Sequence, residues 1–395
     1  MASDSVHPSP SVSLSAPGCT MSARERVART LARQTPDRVP IYDHYWYEAE
    51  LEFRRCLGCS LPPAGDVAEL DTPRIARVHN LPMLSEEFDM DILELGWPDF
   101  RLRMIPAVTL EENDESILQR DGNDAILRWW KHKMGVPEHV RYEIDSPEKW
   151  AQVKPLLTAT RERIRWSEYK PMYRRARDFD RYVCYCSVEP FEMIKDVLGH
   201  ETMLRAMIRR PEWIHDIFDT YTTVAIQLFE MWEAEGLACD GAFIYGDMAY
   251  NTGPFMSPKF FREFLVPYHK RYFDEFHKRG MQVMFHSDGD IRTVLPDLIH
   301  SGVDAINPLE CKANMDLREL APQWGDRLGF VGGFDVRVMT TNDRDRIREE
   351  VRSKLAAAMP YRGIIYHSDH SVPPGVTLDS YRFLLEEVLR AGKYG

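Results

Sequence analysis

Short apolar runs that each end in an acid or a histidine recur through the second half of the chain. The run at residues 281–285 leads to His286 and Asp288, and the run at residues 241–246 leads to Asp247. The remaining runs have the same form and are residues 182–186 before Glu189, 303–308 before Glu310, 328–333 before Asp335, and 363–366 before His367, Asp369 and His370. Short apolar runs bounded by turn residues predict buried strands, here with polar groups at their C-terminal ends.

Helices are predicted between these strands. Ser257 and Pro258 begin one whose apolar positions follow a helical period as far as Gly280, and further helices are predicted at residues 290–300 and 343–359. Strands that alternate with single helices form a parallel sheet. About eight such units with polar residues at the same strand end favour an α/β fold of the (β/α)₈ TIM-barrel type. A doubly wound dinucleotide-binding sheet is less favoured, because no GxGxxG segment follows the first strand.

The first part of the chain departs from this pattern. Residues 1–20 are rich in Ser, Pro and Ala, which predicts a disordered tail. Ser22 followed by Glu25 has the form of a capping box, so we expect a single domain at residues 21–395 that begins with a helix. Residues 101–141, with turn residues at 121–124, predict a small β-hairpin insertion on the barrel.

Composition narrows the class of protein. A net charge of −12 opposes binding to nucleic acid or to an anionic membrane, because both attract Lys and Arg. A hydrophobic content of 44% without a bilayer-length apolar run is typical of a soluble globular chain. Seven cysteines without a convincing secretory signal indicate reduced thiols and a cytoplasmic location.

The strand-end histidines and acids predict a metal site. Strand ends of one barrel converge on one mouth, and imidazoles packed among carboxylates are held together most simply by a divalent cation. We expect His286, Asp288 and His370 to bind that metal, with Asp247 and Glu310 as catalytic groups. The other interpretation is that such residues only hydrogen-bond to neighbouring loops, and Asp290 is expected to be the cap of the following helix.

A second cluster predicts contacts with a small-molecule substrate. Asp43, His44 and Trp46 follow the first predicted strand, where hydrogen-bonding and aromatic groups suit ligand binding, although aromatic residues there equally serve as lid packing. Three further strand-end residues are expected to line the same mouth: Glu189, Asp335 and His367.

Several segments give the chain a family resemblance. Residues 36–40, 257–264, 286–289 and 368–374 resemble the superfamily that joins uroporphyrinogen decarboxylase to the zinc-dependent, corrinoid-linked methyltransferases, from about residue 21 to the C-terminus. The methyltransferase branch has a His-x-Cys-Gly loop and a later Cys that bind zinc. Here His286 matches that loop, Asp288 replaces its Cys, and His370 stands near the second Cys position. The ligand set is therefore harder and is compatible with zinc, iron or manganese.

The resemblance implies an activity and its partners. We expect metal-dependent methyl transfer, with zinc as the first candidate metal, from a small methylated substrate to a corrinoid carried by a separate protein. The first alternative is metal-free decarboxylation of uroporphyrinogen or a related acid, which residues 41–46 disfavour because they lack the arginine of the decarboxylase signature. The second alternative is a barrel that binds a ligand without catalysis. Decarboxylase relatives also imply a homodimer.

Overall fold

Strands and helices alternate along most of the chain. The computed structural model describes residues 20–58, 82–132 and 137–395. The helices are α1 (Ala23–Leu31), α2 (Tyr47–Leu57), α3 (Pro82–Glu87), α4 (Pro147–Val153), α5 (Trp166–Asp178), α6 (Pro190–Arg209), α7 (Pro211–Ala234), α8 (Pro258–Phe264), α9 (Val266–His277), α10 (Leu295–Ser301), α11 (Leu317–Trp324), α12 (Val336–Met339), α13 (Arg344–Ala358) and α14 (Leu378–Ala391). The strands are β1 (Ile92–Gly96), β2 (Val108–Glu112), β3 (Ser116–Arg120), β4 (Ala125–Trp130), β5 (Glu138–Tyr142), β6 (Tyr182–Val188), β7 (Gly241–Tyr245), β8 (Ala249–Tyr250), β9 (Gly253–Pro254), β10 (Gln282–His286), β11 (Ala305–Asn307), β12 (Gly329–Val331) and β13 (Ile364–Ile365).

Seven of these strands form one curled parallel sheet in the order β1-β6-β7-β10-β11-β12-β13. Neighbouring strands follow one another along the chain apart from inserted segments, as successive strand–helix–strand units require. The register places Tyr245 and Asn307 on either side of His286, so the ends of β7, β10 and β11 lie at one edge. The predicted (β/α)₈ barrel is thus confirmed as far as an α/β fold with a curled, seven-stranded parallel sheet.

Residues 40–42 lie between the two edge strands of this sheet. The Asp91 amide donates to the Ile41 carbonyl (2.8 Å), while the Tyr42 amide donates to the Tyr366 carbonyl (3.0 Å). The segment makes a single parallel bridge, Ile41 to Tyr366, where we predicted a first strand. It nevertheless carries Asp43 and His44 to the same edge as the other strand ends.

Apolar side chains form two layers because successive residues of a strand point to opposite faces. Ile92, Cys184, Phe243 and Met284 form an inner cluster, which Val27 of α1 joins. The larger cluster lies between the outer face of the sheet and the helices; Leu93 of β1 belongs to it, for example. The polar ends of the strands therefore lie at one edge of a sheet whose inner face is apolar.

The start of β1 is fixed by a buried ion cluster. Asp91 accepts hydrogen bonds from Arg26 Nη1 (2.6 Å) and Arg38 Nη1 (2.8 Å), and its carboxylate also accepts from the Ile41 amide (2.7 Å). Ser22 caps α1 as predicted, with its hydroxyl accepting from the Glu25 amide. Because Asp91 lies at the opposite end of β1 from the strand C-terminus, it is far along the strand from the convergent polar groups.

The predicted hairpin insertion is larger than expected. Strands β2 to β5 form a separate four-stranded antiparallel sheet. The turn at residues 121–124 joins β3 to β4 as the turn residues indicate, but residues 103–106 are not part of a strand. A single hairpin was therefore too small a prediction, because the polar strands on either side of it lack a strong apolar alternation.

Other predictions concern the ends and the surface of the chain. The predicted tail falls almost entirely on residues 1–19, which lie outside the described residues, and the domain boundary stays a prediction. Thr20 donates its amide to Asp37 (2.9 Å). Across the described ranges, no helix combines the length and the apolar character that a membrane crossing requires.

Candidate functional site

His286, the last residue of β10, is held in one tautomer by its neighbour. Asn307 at the end of β11 donates its Nδ2 to the Val331 carbonyl (2.8 Å), which leaves its Oδ1 facing His286 Nδ1 at 2.5 Å. Because that oxygen can only accept, His286 Nδ1 donates to it, and Nε2 is the ring nitrogen that faces away from Asn307. This side-chain arrangement is the one that orients metal-binding histidines.

The Nε2 atom of His286 faces two carboxylates. Nε2 lies 3.6 Å from Asp247 Oδ1 and 3.7 Å from Asp288 Oδ1, beyond hydrogen-bond distance in both cases. Within the described ranges, Asp288 Oδ1 is a buried oxygen that accepts no hydrogen bond. Atoms of metal-ligand type that face one another beyond hydrogen-bond distance are the pattern expected where a cation would lie.

The loop after β10 brings Asp288 between the other polar groups. Its amide donates to Asp247 Oδ1 (3.0 Å), and the Gly289 amide donates to Glu310 Oε2 (2.8 Å). Gly289 has φ of 83°, and an added Cβ would meet the Ala249 backbone at 2.7 Å, so only glycine fits there. The loop is thus fixed by its backbone amides and by the Ser287 hydroxyl, which accepts from the Met248 amide (3.2 Å).

Asp288 also meets His370, which comes from the segment after β13. His370 Nε2 lies 3.5 Å from Asp288 Oδ2, so the two histidines approach different oxygens of one carboxylate. Although burial alone would raise the pKa of Asp288, its interaction with His370 and the nearby imidazoles lower that pKa to about 2. Burial opposes the change at His370, but Asp288 and Glu310 raise its pKa. The carboxylate is therefore held ionised.

These residues form two overlapping sets of metal-ligand type. Asp247, His286 and Asp288 can each offer one atom such that all the atoms lie within 4.8 Å of one another, and Asp288, Glu310 and His370 form a second set on the same criterion. Asp288 is common to both. The predicted metal residues His286 and His370 therefore fall in different sets that share Asp288, and each set contains one of the predicted catalytic acids, Asp247 or Glu310.

A cavity of about 260 Å³ opens beside this cluster, and Trp46, Glu310, Lys312 and His370 are among its lining residues. The Trp46 indole stacks on the His370 ring with centroids 5.5 Å apart. Lys312 Nζ binds Glu310 Oε1 at 2.7 Å, so the second oxygen of Glu310 is also engaged. Trp46, predicted from sequence as a substrate contact, thus lies at the wall of a cavity next to the metal-ligand sets.

The predicted residues His44 and His367 lie below the cluster in a buried network. His44 Nδ1 is 3.1 Å from His367 Nε2, and the other side of His44 meets Tyr42 (2.7 Å) and Glu94 (3.2 Å). The Tyr245 hydroxyl also donates to Glu94 (2.7 Å). Burial, followed by the neighbouring His44, lowers the pKa of His367 well below its ordinary value.

This network reaches the cluster through aromatic contact, because the Tyr245 ring lies against His286 with centroids 4.6 Å apart. Asp43 is fully buried behind it, where it accepts from Tyr366 and Tyr381 at 3.0 Å each. Burial raises the pKa of Asp43 to about 6. Asp43 therefore supports the floor of the site from behind.

Two predicted substrate residues have other partners. Glu189 is fully buried and caps α6 through the Phe191 and Glu192 amides, and it also contacts His269 Nε2 at 2.8 Å. Asp335 caps α12 and pairs with Arg337 (2.6 Å). A role in substrate binding for either residue stays a prediction, and the positions in the structure are those of helix caps.

The sequence reasoning missed Asn307, Glu94, Tyr245 and Lys312. Asn307 ends a predicted strand and could have been found by asking which side chain orients His286. Glu94 and Tyr245 lie inside apolar strands, and no local signal distinguishes them from core residues.

More than half of the chain matches a known protein family. The sequence model of the family Uroporphyrinogen decarboxylase (URO-D) matches residues 186–390, which is more than half of the 395 residues. The chain belongs to this family. The matched residues begin within β6 and contain β7 to β13, and therefore most of the candidate site, and the chain is a URO-D-like enzyme. No curated protein sequence matches it.

Solved structures extend the likeness to the whole fold. A methyltransferase from Methanosarcina mazei superposes with a TM-score of 0.64 at 14% identity, covering 94% of this chain and 98% of that chain. At this identity the likeness concerns the fold alone. Dispersin B gives a TM-score of 0.36 at 10% identity, covering 80% of this chain and 95% of that chain, a similarity too weak to support any inference.

Proposed function

We propose that this URO-D family member transfers a methyl group from a small methylated substrate, with a divalent metal held by His286, Asp288 and His370. The observation that supports the metal is the buried Asp288 Oδ1, which accepts no hydrogen bond from the described residues and faces His286 Nε2 at 3.7 Å. Oriented imidazole on one side and an ionised carboxylate on the other is a suitable ligand set.

The donor atoms limit the choice of metal. Nitrogen and oxygen ligands without a thiolate suit zinc, and they also suit iron or manganese. Within the described residues, neither ligand set contains a cysteine: Cys184 and Cys186 are buried in β6, and Cys311 Sγ lies 3.4 Å from the Gly333 carbonyl. We propose zinc first, because its tetrahedral site needs only a few protein ligands and leaves a position for the substrate.

The two acids beside the metal ligands differ in exposure and in their hydrogen-bond partners. When bound, the metal would polarise the atom that carries the methyl group. The Asp247 side chain is 44% exposed beside His286, so it is placed to give a proton to the leaving group or to take one. The Glu310 side chain is 4% exposed and both its oxygens are engaged, by Lys312 and by the Gly289 amide. Glu310 therefore positions the Asp288 loop.

The remaining parts of the site handle substrate and acceptor. Trp46 presents an aromatic wall beside His370, which suits the apolar part of a small methylated compound. As the methyl acceptor we propose a cobalt corrinoid on a separate protein. That partner rests on the family resemblance and not on a particular residue of this chain.

Metal analysis tests the proposal. Full-length protein purified without chelators should contain about one divalent metal per chain, and His286→Ala should lose it because a neutral imidazole ligand is removed. His277→Ala is the matched control, since His277 pairs with Asp304 (2.9 Å) beside the same strand, outside both ligand sets. Metal-free wild-type protein, or metal retained in His286→Ala, would refute the assignment.

Family membership supports a second candidate, decarboxylation of uroporphyrinogen or a related acid without a metal. That substrate needs a cationic clamp. Residues 41–46 contain no arginine, and the cations nearest the cavity are already paired: Lys312 with Glu310 and Arg337 with Asp335. We therefore expect negligible conversion of uroporphyrinogen to coproporphyrinogen by the purified protein, and efficient conversion would reverse the order of the two candidates.

A further inference from the structure

A second cavity lies on the outer side of the sheet, away from the strand C-termini. Its volume is about 150 Å³. Its apolar wall includes Leu93 of β1, Met172 and Ala176 of α5, and Phe179, which directly follows α5. Two polar side chains also line it: Ser85 of α3, and Arg181, which directly precedes β6.

Both polar side chains are buried and lack partners in the cavity. Ser85 is 1% exposed and Arg181 is 5% exposed. Among residues 20–58, 82–132 and 137–395, neither Ser85 Oγ nor Arg181 Nη1 has a hydrogen-bond partner. The acid that approaches Arg181 is Asp89, whose Oδ1 is 3.5 Å from Nη2 rather than from Nη1. A buried guanidinium N–H without an acceptor is costly, so this one is poised to bind an anion.

The other charges at the cavity are already matched. Arg175 binds Glu86 through both Nε and Nη2. That pair is neutral as a whole and lies towards solvent, since the Arg175 side chain is 58% exposed. Burial lowers the pKa of Arg181, while Asp89, Asp91 and Glu86 act in the opposite direction. The guanidinium of Arg181 pairs with Asp89 through Nη2, so its Nη1 is left as a cationic donor without an acceptor among the described residues.

We propose that this cavity binds a small monocarboxylate with a compact apolar body. The carboxylate accepts from Arg181 Nη1 and Ser85 Oγ, and the apolar body lies against Leu93, Met172 and Ala176. A cavity of about 150 Å³ with apolar walls is large enough for a benzene-sized group, so the body has about six carbons. A charge-assisted hydrogen bond to a guanidinium distinguishes such an acid from its alcohol or amide.

This site is distinct from the metal-ligand cluster. Arg181 stands at the N-terminal start of β6, whereas the cluster lies beyond the C-terminal ends of the strands. Leu93 faces the cavity, and the next residue, Glu94, faces the barrel interior and contacts Tyr42 and Tyr245. The proposal does not depend on the reaction or on a metal.

Titration of the full-length protein with benzoate and hexanoate tests the proposal. Calorimetry should detect saturable binding of at least one of the two acids, with benzyl alcohol and hexanamide as uncharged probes that bind at least about tenfold more weakly. Arg181→Met should weaken binding of the acid by about tenfold or more, and Ser85→Ala should weaken it by less. Arg174→Met, at an exposed position of α5, is the matched control and should bind as the wild type does.

A filling substitution guards against a variant that fails to fold. Met172→Trp occupies the apolar part of the cavity and leaves Arg181 in place, so it should abolish binding while the melting temperature without ligand changes little. If neither benzoate nor hexanoate binds to the wild type, the proposal is overturned. Unchanged binding in both Arg181→Met and Met172→Trp also overturns it, because the acid then binds elsewhere.

Discussion

The contact between Asn307 and His286 gives the sharpest test of the candidate metal site. Asn307 is 1% exposed and makes two hydrogen bonds, accepting from His286 Nδ1 and donating to the Val331 carbonyl. Asn307→Leu keeps the volume but removes both. Loss of such an orienting contact typically weakens metal binding by about tenfold to a hundredfold, or about 1.4–2.7 kcal/mol.

A second substitution separates metal affinity from stability. Asn307→Asp retains an acceptor for His286 Nδ1, so metal affinity should stay within about threefold of the wild type. It places an oxygen opposite the Val331 carbonyl, so the protein should lose about 1–3 kcal/mol of unfolding free energy. Asn307→Leu should lose a similar amount of stability, because the same carbonyl is left unpaired.

Competition with a coloured zinc chelator measures the affinity, and urea denaturation of the metal-free protein measures the stability. Nitrogen-15 chemical shifts of the histidine rings report whether the proton of His286 is on Nδ1 in the wild type. Equal zinc affinity in wild type and Asn307→Leu would refute the reasoning. An equal loss of zinc affinity in Asn307→Leu and Asn307→Asp would also refute it, because orientation of His286 by the acceptor would then have no role.

Three further predictions concern groups around the site. Asp91→Ala leaves buried guanidinium groups unpaired and should cost about 3–5 kcal/mol in urea denaturation, whereas Asp345→Ala, whose side chain is 91% exposed, should cost less than about 0.5 kcal/mol. Burial raises the pKa of Asp43 to about 6, so the stability that its protonated form contributes is complete below about pH 4 and is lost as the pH rises through about 6. Wild-type unfolding free energy should therefore fall by about 3 kcal/mol relative to Asp43→Asn over that range, and parallel curves would contradict this. Glu189→Gln weakens the contact with His269 and should lower stability by about 1.5–3 kcal/mol without changing metal content; a metal-free variant would instead place Glu189 in the site.

Periodicity alone was enough for the fold class. The apolar runs ending at Asp247, His286 and Asn307 are strands of the observed sheet, because a buried parallel strand needs apolar residues on both faces and ends where the chain turns polar. Three predicted helix starts are confirmed, since Ser22, Ser257 and Asp343 all accept hydrogen bonds from the amides of the helices they begin.

The site could be predicted from the sequence only in part. An acid just after a strand serves either the mouth of the barrel or the N-terminus of the next helix, and both uses have the same local sequence. Asp247 and Asp288 face His286, whereas Glu189 and Asp335 cap helices. The choice between the two depends on where the carboxylate points.

The sequence by itself thus determined the parallel strands from β6 onwards, most of the helices between them, and the edge at which His286, Asp288 and His370 lie. Only the tertiary structure decided which atoms face one another. The proton on His286 Nδ1 is set by Asn307, which is 21 residues away, and the unmatched oxygen of Asp288 is defined by partners from several strands. Such facts arise from non-local packing, which has no counterpart in local periodicity.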